Sequence, residues 1–506
     1  MTAFARRLHT PAALRAAASV LAGLMLSGCM VGPDYRHPET TSSQAFRSAP
    51  AVSARKAPAG AEDPARWWTG FDDPLLDRIV ARVLSGNLDL AVAAARLEQA
   101  RAGLAVRAAI QRPSAQLGAE AATGRVSVQT PLGRLLDARP GFDRTADEYA
   151  LNAGSSWELD LFGGLQRGED AARADYLAAG AGEAGARLAV VAQAADAYIY
   201  VRALQSRMQV LQEQIDTQRR LVGLIALQVS HGLAAELQRD QAQGALAEIE
   251  AALPALEAGR DAAMHALDVL TGDEPGHWQA ELALPAALPR APAVATAGGP
   301  ASLIRRRPDL IAAEYRLAAS NARIGEAIAA YYPRMALTGL LGFATAGGGG
   351  LIASGAAQAR LAAGLRWRLF DFGRVDAEVA AARGGEAEAL ALYRQAVLRA
   401  TEEVENAFTA LVKREAQAAT LATGEAALSR ARERAFAAWQ GGVVSLVEVL
   451  DADSRLLRTR DARIQAEAEA ARAAVASFRA LGGGWQPAVN DDPRPRPVAG
   501  AADAGG

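Results

Sequence analysis

One cysteine, few aromatic residues and no long unbroken apolar run set the first limits on this 506-residue chain. A single cysteine, Cys29, excludes an intrachain disulfide. Phe, Trp and Tyr make up only 5% of the residues, which excludes an aromatic-rich core. Abundant alanine suits long helices packed closely through small side chains. The net charge of −2 removes any general affinity for nucleic acid or anionic lipid. Beyond the N-terminal segment, nothing reaches the roughly 20 uninterrupted apolar residues of a membrane-spanning helix. If the chain crosses a bilayer, strands must do it. The five histidines, at 9, 37, 231, 265 and 277, lack metal-ligand spacing. Gly347 to Gly350 lacks the Lys-Ser/Thr of a phosphate loop, and Asp451-Ala-Asp453 has no calcium-loop pattern. These absences argue against an enzyme, a metal site and a cofactor.

The N-terminus carries a signal. Arg6 and Arg7 precede an apolar run from Pro11 to Leu26, broken only by Arg15 and Ser19. A charged start, a short apolar centre and small residues describe an export signal over 1–28. Leu26-Ser27-Gly28-Cys29 is similar to the lipobox of bacterial lipoproteins, which implies that Cys29 is acylated and becomes the mature N-terminus. Acyl chains contribute about 0.8 kcal/mol per buried methylene, enough in multiple copies for a firm anchor in membrane lipid. Met30 follows, not Asp, and this resemblance therefore implies the outer membrane.

The chain is internally duplicated. Trp157-Glu-Leu-Asp-Leu-Phe162-Gly163 returns as Trp367-Arg-Leu-Phe-Asp-Phe372-Gly373, Gly232-Leu233 as Gly442-Val443, and Leu270-Thr271-Gly272 as Ala480-Leu481-Gly482, all at an offset of 210. Leu88 to Pro113 returns as Pro308 to Pro333 at an offset of 220. The segmentation is 29–66 as an anchored lead, 67–272 as the first repeat, 273–302 as a linker, 303–484 as the second repeat and 485–506 as a disordered tail.

Each repeat holds two kinds of element. Residues 165–230 and 374–440 contain no proline and carry apolar positions at heptad spacing, with a break near 201–205. At 1.5 Å per residue such helices extend roughly 100 Å, too long for one compact domain. Each ends at a glycine turn, His231-Gly232 or Gly441-Gly442, from which a helix returns. Strands are expected near 113–122, 149–162, 333–345 and 359–372. Tyr149, Leu151, Ala153, Trp157, Leu159 and Leu161 alternate with polar or small residues, as do Leu361, Ala363, Leu365, Trp367 and Leu369. Period two with one apolar and one polar face fits membrane-barrel strands, and also a soluble half-buried sheet. The lipoprotein signal favours the membrane. An even offset preserves the outward face, so Trp157 and Trp367 should both meet lipid. Four strands are too few to close a barrel, so the chain must then oligomerise.

Cys29-Met-Val-Gly-Pro-Asp-Tyr35, Trp67-Trp68, Phe71-Asp-Asp-Pro-Leu-Leu76, Arg307-Pro-Asp-Leu310, Ala330-Tyr-Tyr-Pro333, Leu369-Phe-Asp-Phe-Gly373 and the stretch Gly442 to Leu457 occur in this order. In them the chain resembles the TolC-like outer-membrane efflux proteins, in the lipoprotein branch labelled NodT or OprM-like. The resemblance covers most of the mature chain. It implies a membrane α+β fold: a homotrimeric 12-stranded barrel, four strands per chain, continued by a periplasmic α-helical coiled-coil barrel. It implies the exit duct of a tripartite efflux system, passively exporting small molecules. The implied partners are a periplasmic adaptor (membrane fusion) protein and an inner-membrane transporter, often of the resistance-nodulation-division type. A duct for ABC-driven protein or peptide secretion fits the same residues. A lipid-anchored coiled coil without a pore fits the helices but not the strands.

The resemblance places a periplasmic gate at Val447 and Asp451, where the family has an apolar ring and an acidic ring. Three Asp451 side chains about a threefold axis repel one another unless hydrated or paired, and such a ring would favour cations. The plainer alternative is a pair with Arg455 at i+4. The first repeat has Gln241 at the equivalent position. Gly232, Leu233, Gly442 and Val443 are the expected adaptor-docking tips, since small residues allow close backbone approach; glycine capping explains them equally. Glu158, Asp160, Arg360, Arg366 and Arg368 are expected to line the barrel lumen, because a charge facing lipid costs about 2–4 kcal/mol at the midplane.

Overall fold

A computed structural model describes residues 30–39, 43, 45–60, 63–295, 299–346 and 350–485. Cys29, the export signal, residues 347–349 and the tail from 486 lie outside the described residues. The helices are α1 (Ala49–Ser53), α2 (Pro74–Gly86), α3 (Leu88–Ile110), α4 (Pro131–Asp137), α5 (Gly164–Ser230), α6 (Glu236–Glu250), α7 (Leu253–Thr271), α8 (Gln279–Leu282), α9 (Gly299–Arg306), α10 (Pro308–Ala329), α11 (Arg374–Gln440) and α12 (Leu446–Ala480). The strands are β1 (Ser114–Arg125), β2 (Thr145–Leu159), β3 (Arg334–Ala346) and β4 (Ala357–Arg366). Among the described residues no helix is long and apolar enough to cross a membrane. The two proline-free stretches are single helices of 67 residues each.

Two compact units gather corresponding pieces of both repeats. The first comprises 30–38, Glu98–Tyr176 and Tyr315–Ala391. Its centre is one antiparallel sheet in the order β1-β2-β3-β4. Leu117 faces Ala153, Ala153 faces Leu341, and Leu341 faces Ala359. Directly opposed residues share a face, so the alternation seen strand by strand becomes one apolar surface across the sheet. The opposite surface carries Gln116, Glu120, Asn152, Glu158, Thr338, Arg360 and Arg366, with Leu340 as the exception. Gly342 lets Gln358 Nε2 reach across β3 to donate to Asn152 Oδ1 at 2.8 Å. A Cβ there would overlap the Leu151 carbonyl and Asn152.

The N-terminal motif is fastened to this unit. Val31 N donates to Phe162 O at 3.1 Å. The guanidinium of Arg167, buried in α5, donates to Val31 O, Gly32 O and Asp34 Oδ1. Gly32 lies against Gly325 of α10 with φ of 95°. Met30 lies against Gly163, four residues past the end of β2.

The second unit comprises Glu39–Leu97, Leu177–Glu314 and 392–485. Its main core joins Trp67, Leu76, Ile79, Leu267 and Leu303 to the long helices. Tyr198 and Phe408, equivalent in the two repeats, are both fully buried there. Trp67 stacks on Phe478 at 5.2 Å. The family-like motifs are largely caps. Asp73 accepts from Leu75 N and Leu76 N to start α2 and accepts from Tyr198 Oη at 2.6 Å. Arg307 pairs with Asp309 and Glu403 at 2.8 Å and donates to Ala480 O at 3.1 Å, placing positive charge at the C-terminus of α12.

The heptad break near 201–205 has a physical cause. Arg202 and Gln205 are buried and serve the linker: Arg202 Nη1 donates to Leu284 O at 2.7 Å, and Gln205 Nε2 donates to Leu282 O. Polar side chains interrupt the apolar seam where another segment needs its backbone carbonyls satisfied.

Candidate functional site

The two helix tips are copies of one another. In the first, Leu233 N donates to Gln228 O at 2.8 Å and Gly232 N to Val229 O at 2.9 Å. In the second, Val443 N donates to Ala438 O and Gly442 N to Trp439 O, both at 2.9 Å. These are paired Schellman closures, and they need a left-handed residue. Gly232 and Gly442 supply it with φ of 71° and 72°. A Cβ on either would meet open space, so conformation and not crowding selects glycine there. Leu233 and Val443 stand 78% and 79% exposed.

Behind the tips the repeats diverge. Helix α12 starts from a capping box: Ser445 N donates to Glu448 Oε2 at 2.5 Å. At the start of α6, Ala235 has no cap side chain. Helix α12 runs unbroken for 35 residues, whereas the first return divides into α6 and α7. Pro254 lacks an N–H and crowds the carbonyl of Glu250, where α6 ends. Near the tips the hairpins of both repeats share an apolar cluster of Leu221, Ile225, Ala242, Leu446 and Val449, with Phe436 and Trp439 against it.

Val447 and Asp451 both lie on α12 and are about half exposed. Asp451 Oδ2 pairs with Arg455 Nε at 2.8 Å, as the i+4 alternative anticipates. Asp453 does something sequence reading missed. It is 3% exposed and accepts from Arg432 Nε of α11 at 2.8 Å, while its Oδ2 is buried without a partner among the described residues. Arg432 also lies over the Phe436 ring at 5.0 Å. Neither residue has an equivalent: Gln243 and Val222 occupy these places in the first repeat.

Further ion pairs fix α12 along its length. Glu425 takes Arg460 and Arg463, and Arg414 takes Glu469. Arg207 takes Asp461, and Asp196 takes Arg472. Most are partly exposed and each contributes little alone, about 0–1 kcal/mol. Their effect is to fix register between helices whose small apolar side chains would tolerate sliding.

At the strand wall, Arg360 is on the polar face of β4, opposite Leu340, and Arg366 is the last residue of β4, opposite Arg334. Glu158 is on the same face of β2, 4.0 Å from Arg334. Two expected lumen residues fall outside the strands. Asp160 follows the end of β2, and its Oδ2 accepts from Gln166 N at 2.7 Å, so this carboxylate caps α5. Asp371 caps α11 in the same manner through Gly373 N and Val375 N. Arg368 lies two residues beyond β4, which ends at Arg366 and not near 372. The apolar face is bare: Leu117, Leu341, Leu361 and Leu365 are 63–86% exposed. Fully burying one such side chain is worth about 1.5–3 kcal/mol, so this surface belongs in lipid. Trp157 and Trp367 sit at its border, each donating from Nε1 at 2.9 Å, to Gln111 O and Tyr331 O.

A strand wall with one lipid-seeking face, joined directly to long paired helices, defines a subunit of an outer-membrane channel. The model of the outer membrane efflux proteins matches residues 79–273 and 300–483, and the chain belongs to that family. It is 30% identical to the pyoverdine export outer membrane protein OpmQ of Pseudomonas putida, over 83% of this chain and 88% of that one. It is 26% identical to the cation efflux system protein CusC of Escherichia coli, over 92% and 97%. The structure of the outer-membrane channel OprN superposes with a TM-score of 0.82 at 35% identity, covering 91% of this chain and all of that one. As in the family, three chains form one channel, its barrel in the outer membrane and its helical tunnel in the periplasm. It serves as the exit duct of an efflux system, with a periplasmic adaptor and an inner-membrane pump.

Proposed function

We propose that this duct passes small molecules with no catalytic step of its own, and that it is closed at rest where α12 begins. Val447 and Asp451 form the constriction there, one apolar and one acidic ring. The observation that carries this is the inequality of the two hairpins: α12 alone has the capping box, the unbroken return and the buried Asp453–Arg432 pair. A hairpin that must hold a gating residue needs a fixed backbone. Asp451 pairs with Arg455 on its own helix, which offsets repulsion between three copies and leaves the ring tunable. Relatives named for pyoverdine and for cations share most of this chain's length, which supports a conduit whose cargo is chosen by the pump.

The exposed tips Gly232, Leu233, Gly442 and Val443 are the adaptor contacts, and Cys29 is the acylated anchor. The fastening of Met30 beside the end of β2 would hold that anchor at the membrane-facing end of the helices. Conductance of purified trimers in planar bilayers tests the gate. The wild type should show small, rare openings, and Asp451→Ala larger and more frequent ones. No conductance from either would overturn the duct, and unchanged openings in the variant would remove Asp451 from the gate.

A further inference from the structure

The two repeats differ where the strand wall meets the helices. In the first, polar pairs fill the start of α5. Gln111 Nε2 donates to Glu169 Oε2 at 2.8 Å, Arg173 Nη2 donates to Glu169 Oε1 at 2.7 Å, and Gln166 Nε2 donates to Asp170 Oδ1 at 3.0 Å. At the repeat offsets Gln111 becomes Tyr331 and Gln166 becomes Asp376. The acids Glu169 and Asp170 give way to Val379 and Ala380, while Arg173 is kept as Arg383. Arg383 has no hydrogen bond or ion pair among the described residues. Tyr331 Oη donates to Asp376 Oδ1. With Ile328 these residues line an open groove of about 640 Å³ between α10 and α11, a usual size for a small-ligand site.

On the barrel's place in the outer membrane, and independently of the gate, we propose that this groove holds the headgroup of a zwitterionic phospholipid from the periplasmic leaflet. Its position points to lipid. Trp367 lies at the helix-side border of the apolar sheet face, and its Nε1 donates to Tyr331 O at 2.9 Å. Tyr331 belongs to that border and to the groove, so the groove continues the surface already assigned to lipid. Tryptophan settles at the level of headgroups, where its ring is in lipid and its N–H is satisfied. Helical side chains lean toward the N-terminus, and in α11 that end is joined to β4. The Arg383 stem therefore brings its guanidinium back toward the headgroups.

The chemistry agrees. Ile328, Val379 and Ala380 give the groove an apolar floor, which suits the glycerol backbone and first methylenes of a lipid. Free phosphate would gain nothing from it. A guanidinium holds a phosphate through parallel N–H donors, and Arg383 is free to do so. Asp376, held by Tyr331, is placed for an ammonium. One cation and one anion leave the lining without net charge. A headgroup carrying both phosphate and ammonium answers both, whereas an anionic headgroup sets a second negative charge beside Asp376.

The first repeat offers no second copy of the site. Glu169 already engages Arg173, and Gln111 fills the place of Tyr331 by bonding the same carboxylate. Each chain therefore takes one lipid, and the first repeat shows what closes the groove: an acid at position 379.

Native mass spectrometry of the full-length trimer counts bound lipid. The trimer is delipidated in mild detergent and given phosphatidylethanolamine, phosphatidylglycerol or inorganic phosphate. The expected result is up to one phosphatidylethanolamine per chain above the covalent mass, retained several-fold better than phosphatidylglycerol. Arg383→Gln should lower that retention several-fold, and Arg173→Gln, at the filled site, should leave it unchanged. Val379→Glu with Ala380→Asp rebuilds the first repeat's pairing and should abolish retention at an unchanged trimer mass. Equal retention by the wild type and Arg383→Gln, or none by either, overturns the site. Displacement by millimolar phosphate makes it an anion site and overturns the lipid. Phosphatidylglycerol ahead of phosphatidylethanolamine overturns the zwitterion. Recovery of the protein from cells without membrane or detergent would instead overturn the lipid-facing wall, a failure read before any lipid is counted.

Discussion

Asp451 and Asp453 are two residues apart on one helix and have opposite surroundings. Two residues turn a helix by roughly 200°, so one carboxylate faces solvent beside Arg455 and the other enters the hairpin against Arg432. Removing one partner of a buried pair strands the other charge. Arg432→Ala should lower unfolding stability by about 3–5 kcal/mol, measured by thermal or denaturant unfolding of the trimer. Arg432→Met combined with Asp453→Leu should recover most of that loss. The acidic pair was legible in the sequence, but which member is buried depends on the rotation of α12 against α11, and no local pattern states that.

A second residue-scale prediction concerns acid. Asp273 accepts hydrogen bonds from the Arg82 guanidinium, which hold its carboxyl down to about 2, below the usual carboxylate value of roughly 4. A lowered folded-state pKa adds stability above the unfolded value and loses it as pH falls through the folded one. The pair is partly exposed, so the effect is modest. Arg82→Gln should therefore melt earlier than the wild type at pH 6, and the two melting curves should converge as pH falls from about 4 to 2. A constant difference across that window would remove Asp273 as the cause.

At the scale of elements, caps separate the two repeats. Ser445→Ala should cost about 0.5–2 kcal/mol and, by loosening the start of α12, raise the opening frequency in bilayers. Ala235→Ser should leave the openings as they are. Helices and strands were readable because their periods, 3.6 and 2, follow from backbone geometry. The strand limits near 113–122, 149–162 and 333–345 agree with β1, β2 and β3 to within a few residues. β4 was read as longer than one chain shows, because alternation reports what a strand can do and hydrogen bonding reports what its neighbours allow. Asp160 continues the alternation of β2 but follows the end of that strand, where its carboxylate caps α5. The linker's place on α5 was visible only as a gap in a heptad.

For the whole molecule, sidedness is the main consequence. All four strands join helices at one end and one another by hairpins at the other. With the helical tunnel in the periplasm, the hairpin ends of the strands, remote from the helices, are expected on the exterior. An epitope inserted after Gly141 should label intact cells, and one inserted after Gly442 should label only after the outer membrane is opened. Labelling of intact cells at Gly442 would invert the topology. Oligomer and partners were legible only through resemblance, since one chain's strands say that something must complete the barrel without saying what.

The two repeat offsets, 220 up to β1 and 210 from β2 onward, differ by ten residues, and the structure places the change in the β1–β2 hairpin. Residues 126–144 there hold a small helix of their own, capped by Thr130, against only 347–356 in the other hairpin. Elsewhere a change of length would slip a strand or rotate a helix face. The β1–β2 hairpin is therefore the place where the two repeats differ in length while strand register and helix faces are kept. That hairpin is a part of the duplicated chain that can be rewritten without shifting the strands on either side of it.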